Sequence, residues 1–402
     1  MSAVRPLPVI NPGETIVTSV RDALTRAWPA GLRAVVLTGS LARGEGTWLR
    51  DQSRTRLAGD AEFFAIFEDG AALPAAARVA ALKREIENQL RANLIEVKIG
   101  LSPVGLDYLR RLRPHIFAYE LLAHGKVICG DPRILALAPN FSRAAIPLED
   151  GFRLLVNRII ELIESVCAMP TEPGAELPEQ VRHSAAKLWL DTATSFLLFQ
   201  GQYESTYRAR GVKLKRSLAS GLETPIDAAR FAERVELATR WKLGEGESEP
   251  TVTIADLVTQ IGDVRALWRW ELGRLNAASG AGGDSELVHR WIAGQPVAAR
   301  LRGWAAVVKR HGLVASLGRL PRWSVQAMAG SPRYLIYAAA SELFFALPAI
   351  LRRDPRAEAA LSWARVGRRL PLARELKNGV SWRNAGQAIA WNYHQFLEST
   401  RS

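Results

Sequence analysis

Two stretches near the N-terminus decide the fold of this chain: LTGSLARGEG at residues 37–46 and GDAEFFAIF at residues 59–67. The apolar run at residues 33–38 predicts a short strand that leads into a Gly39-Ser40 turn. The run at residues 61–67 predicts a second strand. Because alternate side chains of a strand share a face, Asp60 and Glu62 are predicted to point to the same side of the sheet.

Outward from these stretches, helical and strand patterns alternate over the first 135 residues, and this is typical of an α/β fold. Residues 94–101 predict a third strand, and residues 126–129 a short extended piece. From residue 148 onward the apolar periodicity is helical, so the sequence predicts an α/β domain followed by mostly α-helical domains. The predicted helices cover residues 14–28, 74–93, 114–124, 152–169, 180–200, 228–243, 254–278, 287–311 and 332–351, and residues 41–57 are predicted to be a loop.

Polar stretches rich in Gly and Pro separate the predicted domains. They indicate an α/β domain at residues 1–135, a helical domain at 148–280 that packs on the active site, and a basic helical C-terminal region at 285–402.

Composition excludes several classes of protein. With 402 residues, 48% of them hydrophobic, the chain is too apolar to be disordered. Two cysteines, Cys129 and Cys167, and six scattered histidines supply neither a disulfide framework nor a zinc site. The first residues have no apolar segment behind a basic start, and residues 334–351 carry Glu342 and Pro348. We therefore expect a cytoplasmic protein in which residues 334–351 form a buried helix and no segment is transmembrane.

Positive charge is concentrated in the last quarter of the chain. Of the formal net charge of +13, residues 300–402 contribute 17 Lys or Arg and 5 Asp or Glu, a balance of +12. Such a region favours an anionic partner, such as RNA or another nucleic acid, a phosphorylated or acidic substrate, or an acidic surface such as an anionic membrane. The alternative is an Arg-rich helical surface that is simply solvated.

The Gly-Ser turn and the acidic residues point to phosphate chemistry. Gly39 has no Cβ, so backbone N–H groups and the Ser40 hydroxyl can approach phosphate oxygens closely. Asp60 and Glu62, with Glu96 on the third strand, offer the hard oxygen ligands that divalent cations prefer. Three carboxylates beside a phosphate-binding turn suit two-metal nucleotidyl transfer, with Glu96 also a candidate general base. An exposed strand edge or a salt bridge is the alternative interpretation of the acidic pair.

These residues resemble the nucleotidyltransferase superfamily of DNA polymerase β, whose motif is a hydrophobic strand, Gly-Ser, a loop, Asp-x-Asp/Glu and a later acidic residue. Gly39, Ser40, Asp60, Glu62 and Glu96 occur in that order. Residues 117–132 also look like the segment that closes the domain in bacterial members with small substrates. The resemblance covers roughly the first 135 residues.

The resemblance implies a small mixed-sheet nucleotidyltransferase domain in which Asp60, Glu62 and Glu96 are catalytic and bind Mg²⁺ or Mn²⁺. The substrate is expected to be an NTP, with ATP first among the candidates. Two features depart from the family pattern: the 19 residues between Ser40 and Asp60 form a long connection, and Glu replaces Asp at the second and third acidic positions.

Two cationic residues complete the predicted nucleotide site. Arg43 is a candidate bidentate clamp for the triphosphate, and Lys187 a candidate phosphate contact from the helical domain. The alternatives are a solvated Arg43–Glu45 loop pair and a helical ion pair between Lys187 and Asp191. A P-loop is excluded because Glu45 occupies the position that requires Lys.

Two functions from different classes follow. The first is a metal-dependent nucleotidyltransferase that acts on a hydroxyl acceptor, a small molecule rather than RNA. The second is a non-catalytic scaffold of the same fold that binds nucleotide, or an anionic partner through its basic C-terminal region.

Overall fold

The computed structural model describes residues 11–50, 54–170, 176–245, 252–276, 282–312, 316–354, 356, 361, 363–372 and 381–400. The chain divides into two compact units. The first comprises Met1–Pro147, Glu204–Arg210 and Thr239–Ser248, and the second comprises Leu148–Tyr203, Gly211–Ala238 and Glu249–Ser402.

Helices and strands alternate in the first unit, as predicted. Asn11 caps the first helix with its side chain, and Pro12 occupies the first turn, where a missing N–H costs nothing. In chain order the elements are α1 (Pro12–Ala27), β1 (Leu32–Thr38), α2 (Gly39–Ala42), β2 (Trp48–Arg50), β3 (Thr55–Phe67), α3 (Ala76–Ala92), β4 (Ile95–Gly105), α4 (Leu106–Arg110), α5 (Ile116–His124) and β5 (Lys126–Gly130).

The strands form a mixed sheet in the order β2-β3-β1-β5, with β4 added on β3. β1 runs antiparallel to β3 and β5, and β2 runs antiparallel to β3, whereas β3 and β4 are parallel. The expectation of an α/β region followed by helices is confirmed.

Both faces of the sheet are covered because the central strands are apolar on both sides. Val35 and Leu37 pack with Phe63 against the helices α1 and α3. Val36 and Phe64 point to the other face and pack against α4 and α5. Asp60 and Glu62 continue the row of Phe64 toward the start of β3, where the strand becomes exposed.

The second unit is helical, and its longest helices are amphipathic or mostly buried. α10 begins with a capping box, in which Thr253 and Asp256 satisfy each other's backbone N–H groups. The helices that follow β5 in the chain are α6 (Leu148–Cys167), α7 (Glu179–Phe199), α8 (Tyr207–Ala219), α9 (Ala228–Lys242), α10 (Ile254–Leu275), α11 (Asp284–Ala293), α12 (Val297–His311), α13 (Leu320–Ala329), α14 (Pro332–Leu351), α15 (Trp363–Arg369) and α16 (Trp382–Thr400). The first four residues of α8 and the last four of α9 belong to the first unit.

Two predictions of secondary structure are wrong. Residues 41–57 are not a single loop, because they contain the second half of α2, all of β2 and the start of β3. The single helix predicted at residues 287–311 is two helices, α11 and α12. The break falls at Gly294–Pro296, where Pro296 has no N–H to continue the hydrogen-bond ladder.

Among the described residues, one helix is long and apolar enough to cross a membrane by length and composition. This helix is α14, and 67% of its most apolar window is buried inside the protein. A core helix of this kind passes the same test as a membrane span, and the predicted burial of residues 334–351 is confirmed for most of that window.

Candidate acidic site and its neighbouring charge network

The acidic pair lies beside the Gly-Ser turn because of the pairing between β1 and β3. Thr38, the last residue of β1, is paired with Glu62. The chain then turns at Gly39, whose φ of +70° is in the left-handed region that favours glycine. A Cβ at Gly39 would stand 2.3 Å from Oε2 of Glu62. The backbone conformation favours glycine here, and a Cβ would also displace the exposed Glu62 carboxylate.

We therefore expect Gly39→Ala to lower the free energy of unfolding by about 1–3 kcal/mol. Alanine is strained in the left-handed backbone conformation, and its Cβ displaces the Glu62 carboxylate. A double-mutant cycle with Glu62→Ala separates the two causes, since removal of the carboxylate relieves only the second. Urea unfolding of the four proteins measures both. A cost that is fully relieved in the Glu62→Ala background would show that the backbone conformation contributes nothing.

The structure does not assemble the three predicted carboxylates into one metal site. Glu96 is exposed opposite Arg56, while the residue opposite Asp60 is Lys98. The Lys98 ammonium lies 3.9 Å from Oδ2 of Asp60. Among the residues that the structure describes, no group of three Asp, Glu, His or Cys side chains could hold a metal ion. The chemistry of the donor set fits a divalent cation at Asp60 and Glu62, and the full three-ligand set does not fit.

Arg43 and Glu45 are buried, so the alternative of a solvated loop pair is wrong. Each side chain is only 6% exposed, and Nε of Arg43 lies 3.1 Å from Oε2 of Glu45. Nη1 of Arg43 also donates to Glu120. Burial lowers the pKa of Arg43, but the carboxylates, Glu120 foremost, outweigh this and leave the pKa above its ordinary value. A guanidinium that is excluded from solvent and held by two carboxylates is not available to a triphosphate, which corrects its predicted role.

Glu120 and Arg210 belong to the same network, although neither was predicted as a site residue. Arg210 is 4% exposed on the side chain, and it donates to Glu120 and to the carbonyl of Glu204. The ring of Tyr207 lies 5.4 Å from the guanidinium carbon of Arg43 and 5.0 Å from that of Arg210. Glu120 thus joins two buried arginines that are 167 positions apart in the chain. No local sequence pattern predicts a contact over that separation.

His124 contacts a hydroxyl group that sequence spacing did not suggest. Its Nε2 lies 2.7 Å from Oγ of Ser205. Burial first, and then the charge of Arg43, lower the pKa of His124. A neutral imidazole can accept the Ser205 proton, but no group of the described residues orients the other ring nitrogen, so the pair lacks the third member of a catalytic triad.

Lys187 lies on α7 in the second unit and is partly buried. Oδ2 of its neighbour Asp191 lies 2.7 Å from Nε of Arg158 on α6. Asp191 is 2% exposed, so its carboxylate serves the packing of α6 on α7. A phosphate contact by Lys187 stays a prediction.

No protein-family model matches the chain, and no curated protein matches it.

Proposed function

We propose that the first unit is a nucleotidyltransferase-type domain that transfers a nucleoside monophosphate from an NTP to a hydroxyl acceptor. The observation that carries this proposal is the register of β1 on β3, which pairs Thr38 with Glu62 and so puts the Gly39-Ser40 turn beside an exposed acidic pair. A phosphate-binding turn next to carboxylates on an exposed strand end is what the transfer requires.

Within this proposal the turn binds the β- and γ-phosphates through its backbone N–H groups and the Ser40 hydroxyl. Asp60 and Glu62 would hold a divalent cation, Mg²⁺ or Mn²⁺, which offsets the charge of the triphosphate. The acceptor oxygen attacks the α-phosphorus, the bond to the β-phosphate oxygen breaks, and pyrophosphate leaves. Glu96, exposed on the same face of the sheet, is the candidate to take the acceptor proton.

We favour a small-molecule acceptor over RNA, because the chain carries no recognisable RNA-binding motif. ATP is the first NTP to test, and the cytoplasm is the expected location.

The test is transfer from each of the four α-labelled NTPs to a cell extract separated into small-molecule, RNA and protein fractions, with Mg²⁺ or EDTA. We expect metal-dependent label in the small-molecule fraction. Asp60→Asn should reduce the transfer by about 100-fold or more, since it removes a charge that the transition state requires.

Asp69→Asn is the matched control, because Asp69 carries an exposed carboxylate in the turn after β3 and pairs only at the surface with Arg110. Label in the RNA fraction would change the acceptor class. Equal transfer by wild type and Asp60→Asn would refute the assignment of the site.

A non-catalytic scaffold is the second candidate, and it is favoured by Lys98. A cation opposite Asp60 competes with a metal ion for the same carboxylate. If Lys98 only competes with a metal, Lys98→Ala strengthens Mg²⁺-dependent NTP binding in calorimetry. If the site is a scaffold, neither wild type nor Lys98→Ala transfers label.

A further inference from the structure

A long stretch of the second unit has only one sign of charge. Residues 287–341 contain eight Lys or Arg and no Asp or Glu. This stretch includes α12 and α13. An acidic partner surface is therefore attracted to this part of the chain, and a basic one is repelled.

The same stretch carries an unusual share of exposed apolar side chains. Six of the 14 exposed large apolar side chains among the described residues lie between positions 297 and 328. Their exposure runs from 40% to 72%. They are Val297 and Leu301 on α12, Leu317 before α13, and Leu320, Val325 and Met328 on α13.

These side chains are exposed because other residues anchor the two helices. Trp304 and Trp323 are buried, their rings are 5.9 Å apart, and Nε1 of Trp304 donates to the carbonyl of Gly330. On α12, Val297 and Leu301 are one turn apart and lie on one exposed stripe. The packing of the core thus leaves this stripe uncovered.

A hydrogen bond also joins the two helices next to the exposed apolar side chains. Arg300 donates to the carbonyl of Met328, so the end of α13 lies beside the first turns of α12. Val297 and Leu301 flank Arg300 on α12. The apolar residues of α12 and the end of α13 therefore belong to one region, which we call the α12–α13 surface together with Leu317, Leu320 and Val325.

Exposed cations lie among these apolar side chains. Arg302 follows Leu301 directly, Lys309 lies two turns further along α12, and Arg319 separates Leu317 from Leu320. All three are exposed, and none forms an ion pair within the described part of the chain. They are free to meet an anionic surface.

We propose that the α12–α13 surface docks on an anionic lipid bilayer, with its apolar side chains in the headgroup region and Arg302, Lys309 and Arg319 on lipid phosphates. Helices that lie in the plane of a membrane interface combine apolar side chains with Lys and Arg in this way. This inference does not depend on the nucleotidyltransferase proposal.

Other partners fit the surface less well. Single-stranded nucleic acid is bound through cations and stacking aromatic rings, whereas the exposed large apolar side chains here are not aromatic, and Trp304 and Trp323 are buried. A second copy of the chain would bring two cationic surfaces together, which is unfavourable. An anionic bilayer satisfies both the charge and the apolar side chains.

The test is sedimentation of the full-length protein with vesicles of phosphatidylcholine alone or of equal parts phosphatidylcholine and phosphatidylglycerol. We expect the protein to pellet with the anionic vesicles, to stay in solution with phosphatidylcholine, and to be released in part by salt. The triple variant Arg302→Gln, Lys309→Gln, Arg319→Gln should lower the partition coefficient by roughly 100-fold.

The apolar half of the surface is tested by the triple variant Leu301→Ser, Val325→Ser, Met328→Ser, which keeps every charge. We expect it to bind anionic vesicles at least about tenfold more weakly than wild type, because less apolar area leaves water. Val212→Ser with Leu237→Ser is the matched control, since both side chains are exposed elsewhere in the second unit. Arg84→Gln, Arg113→Gln, Arg216→Gln is the control for charge, with three exposed arginines outside the surface.

Wild-type protein that stays in solution with anionic vesicles would overturn the proposal, as would an apolar variant that binds them like wild type. Tighter binding to a single-stranded RNA than to the vesicles, with the same loss in the charge variant, would assign the surface to nucleic acid instead. Circular dichroism and thermal unfolding of each variant verify that it folds like wild type, so a loss of binding is not a loss of structure.

Discussion

Glu271→Gln is expected to stabilise the protein at alkaline pH and to leave its stability near pH 5 almost unchanged. Glu271 lies on α10 and is 0% exposed, and neither carboxylate oxygen has a hydrogen-bond partner among the described residues. Burial raises the pKa of Glu271 to about 8, while the nearby Ser195 hydroxyl acts in the opposite direction. A buried carboxylate without partners is costly when it is charged.

The sign follows from the protons bound in each state. Between the unfolded pKa of 4.5 and the folded pKa of about 8, the folded protein keeps the Glu271 proton and the unfolded chain loses it. The free energy of unfolding of the wild type therefore falls as pH rises through this window and levels off above it. The Gln side chain does not titrate, so the variant lacks this fall and is more stable at pH 9 by on the order of 3–5 kcal/mol.

Chemical unfolding of both proteins between pH 5 and 9 measures this difference, and subtraction cancels the groups that titrate alike in both. Glu233→Gln is the control, since Glu233 is exposed on the neighbouring helix α9 and its replacement should leave the pH profile of the wild type intact. Parallel profiles for Glu271→Gln and wild type would mean that Glu271 is not buried as a neutral acid.

Sequence patterns predicted the parts of the fold that rest on local periodicity. The apolar runs that became β1 and the core of β3 are unambiguous, because each is continuous and bounded by Gly or polar residues. The first residues of β3 were missed because Thr55–Asp60 is polar and contains Gly59. That segment is a strand only because β2 and β4 supply its backbone partners, such as Ile95 for Thr55.

The candidate site shows the same limit. The alternation of apolar and polar residues along β4 predicted the outward direction of Glu96 correctly, since Ile95 and Val97 are buried beside it. Alternation does not give the register between strands, and the observed register brings Lys98, not Glu96, opposite Asp60. Burial of a charge is equally invisible in one sequence: Arg43 was predicted in a phosphate site, but the structure buries it among carboxylates.

The buried charge network of the first unit gives the second large prediction: Glu120→Ala should lower the free energy of unfolding by about 3–5 kcal/mol. Glu120 is 12% exposed on the side chain and lies between Arg43 and Arg210, which are 6% and 4% exposed. Its removal leaves both guanidiniums out of water without their shared anion, while Glu45 still pairs with Arg43. The cost arises from uncompensated buried charge more than from the loss of contacts.

Asp107→Ala is a matched control, because Asp107 also pairs with two arginines, Arg110 and Arg111, but its side chain is 58% exposed. Water replaces an exposed carboxylate, so this variant should cost less than about 1 kcal/mol. Urea unfolding of the two variants tests whether burial, rather than the number of ion pairs, sets the cost.

A second substitution separates uncompensated charge from poor packing. The double variant Glu120→Ala, Arg210→Met also removes one of the two cations that Glu120 balances, and an apolar side chain of similar length fills its space. We therefore expect the double variant to be more stable than Glu120→Ala alone. If the two losses simply add, Arg210 and Glu120 do not depend on each other for their burial. A double variant that is more stable than Glu120→Ala would show that ion pairs hold residues 204–210 in the first unit, with Glu120 as the shared anion.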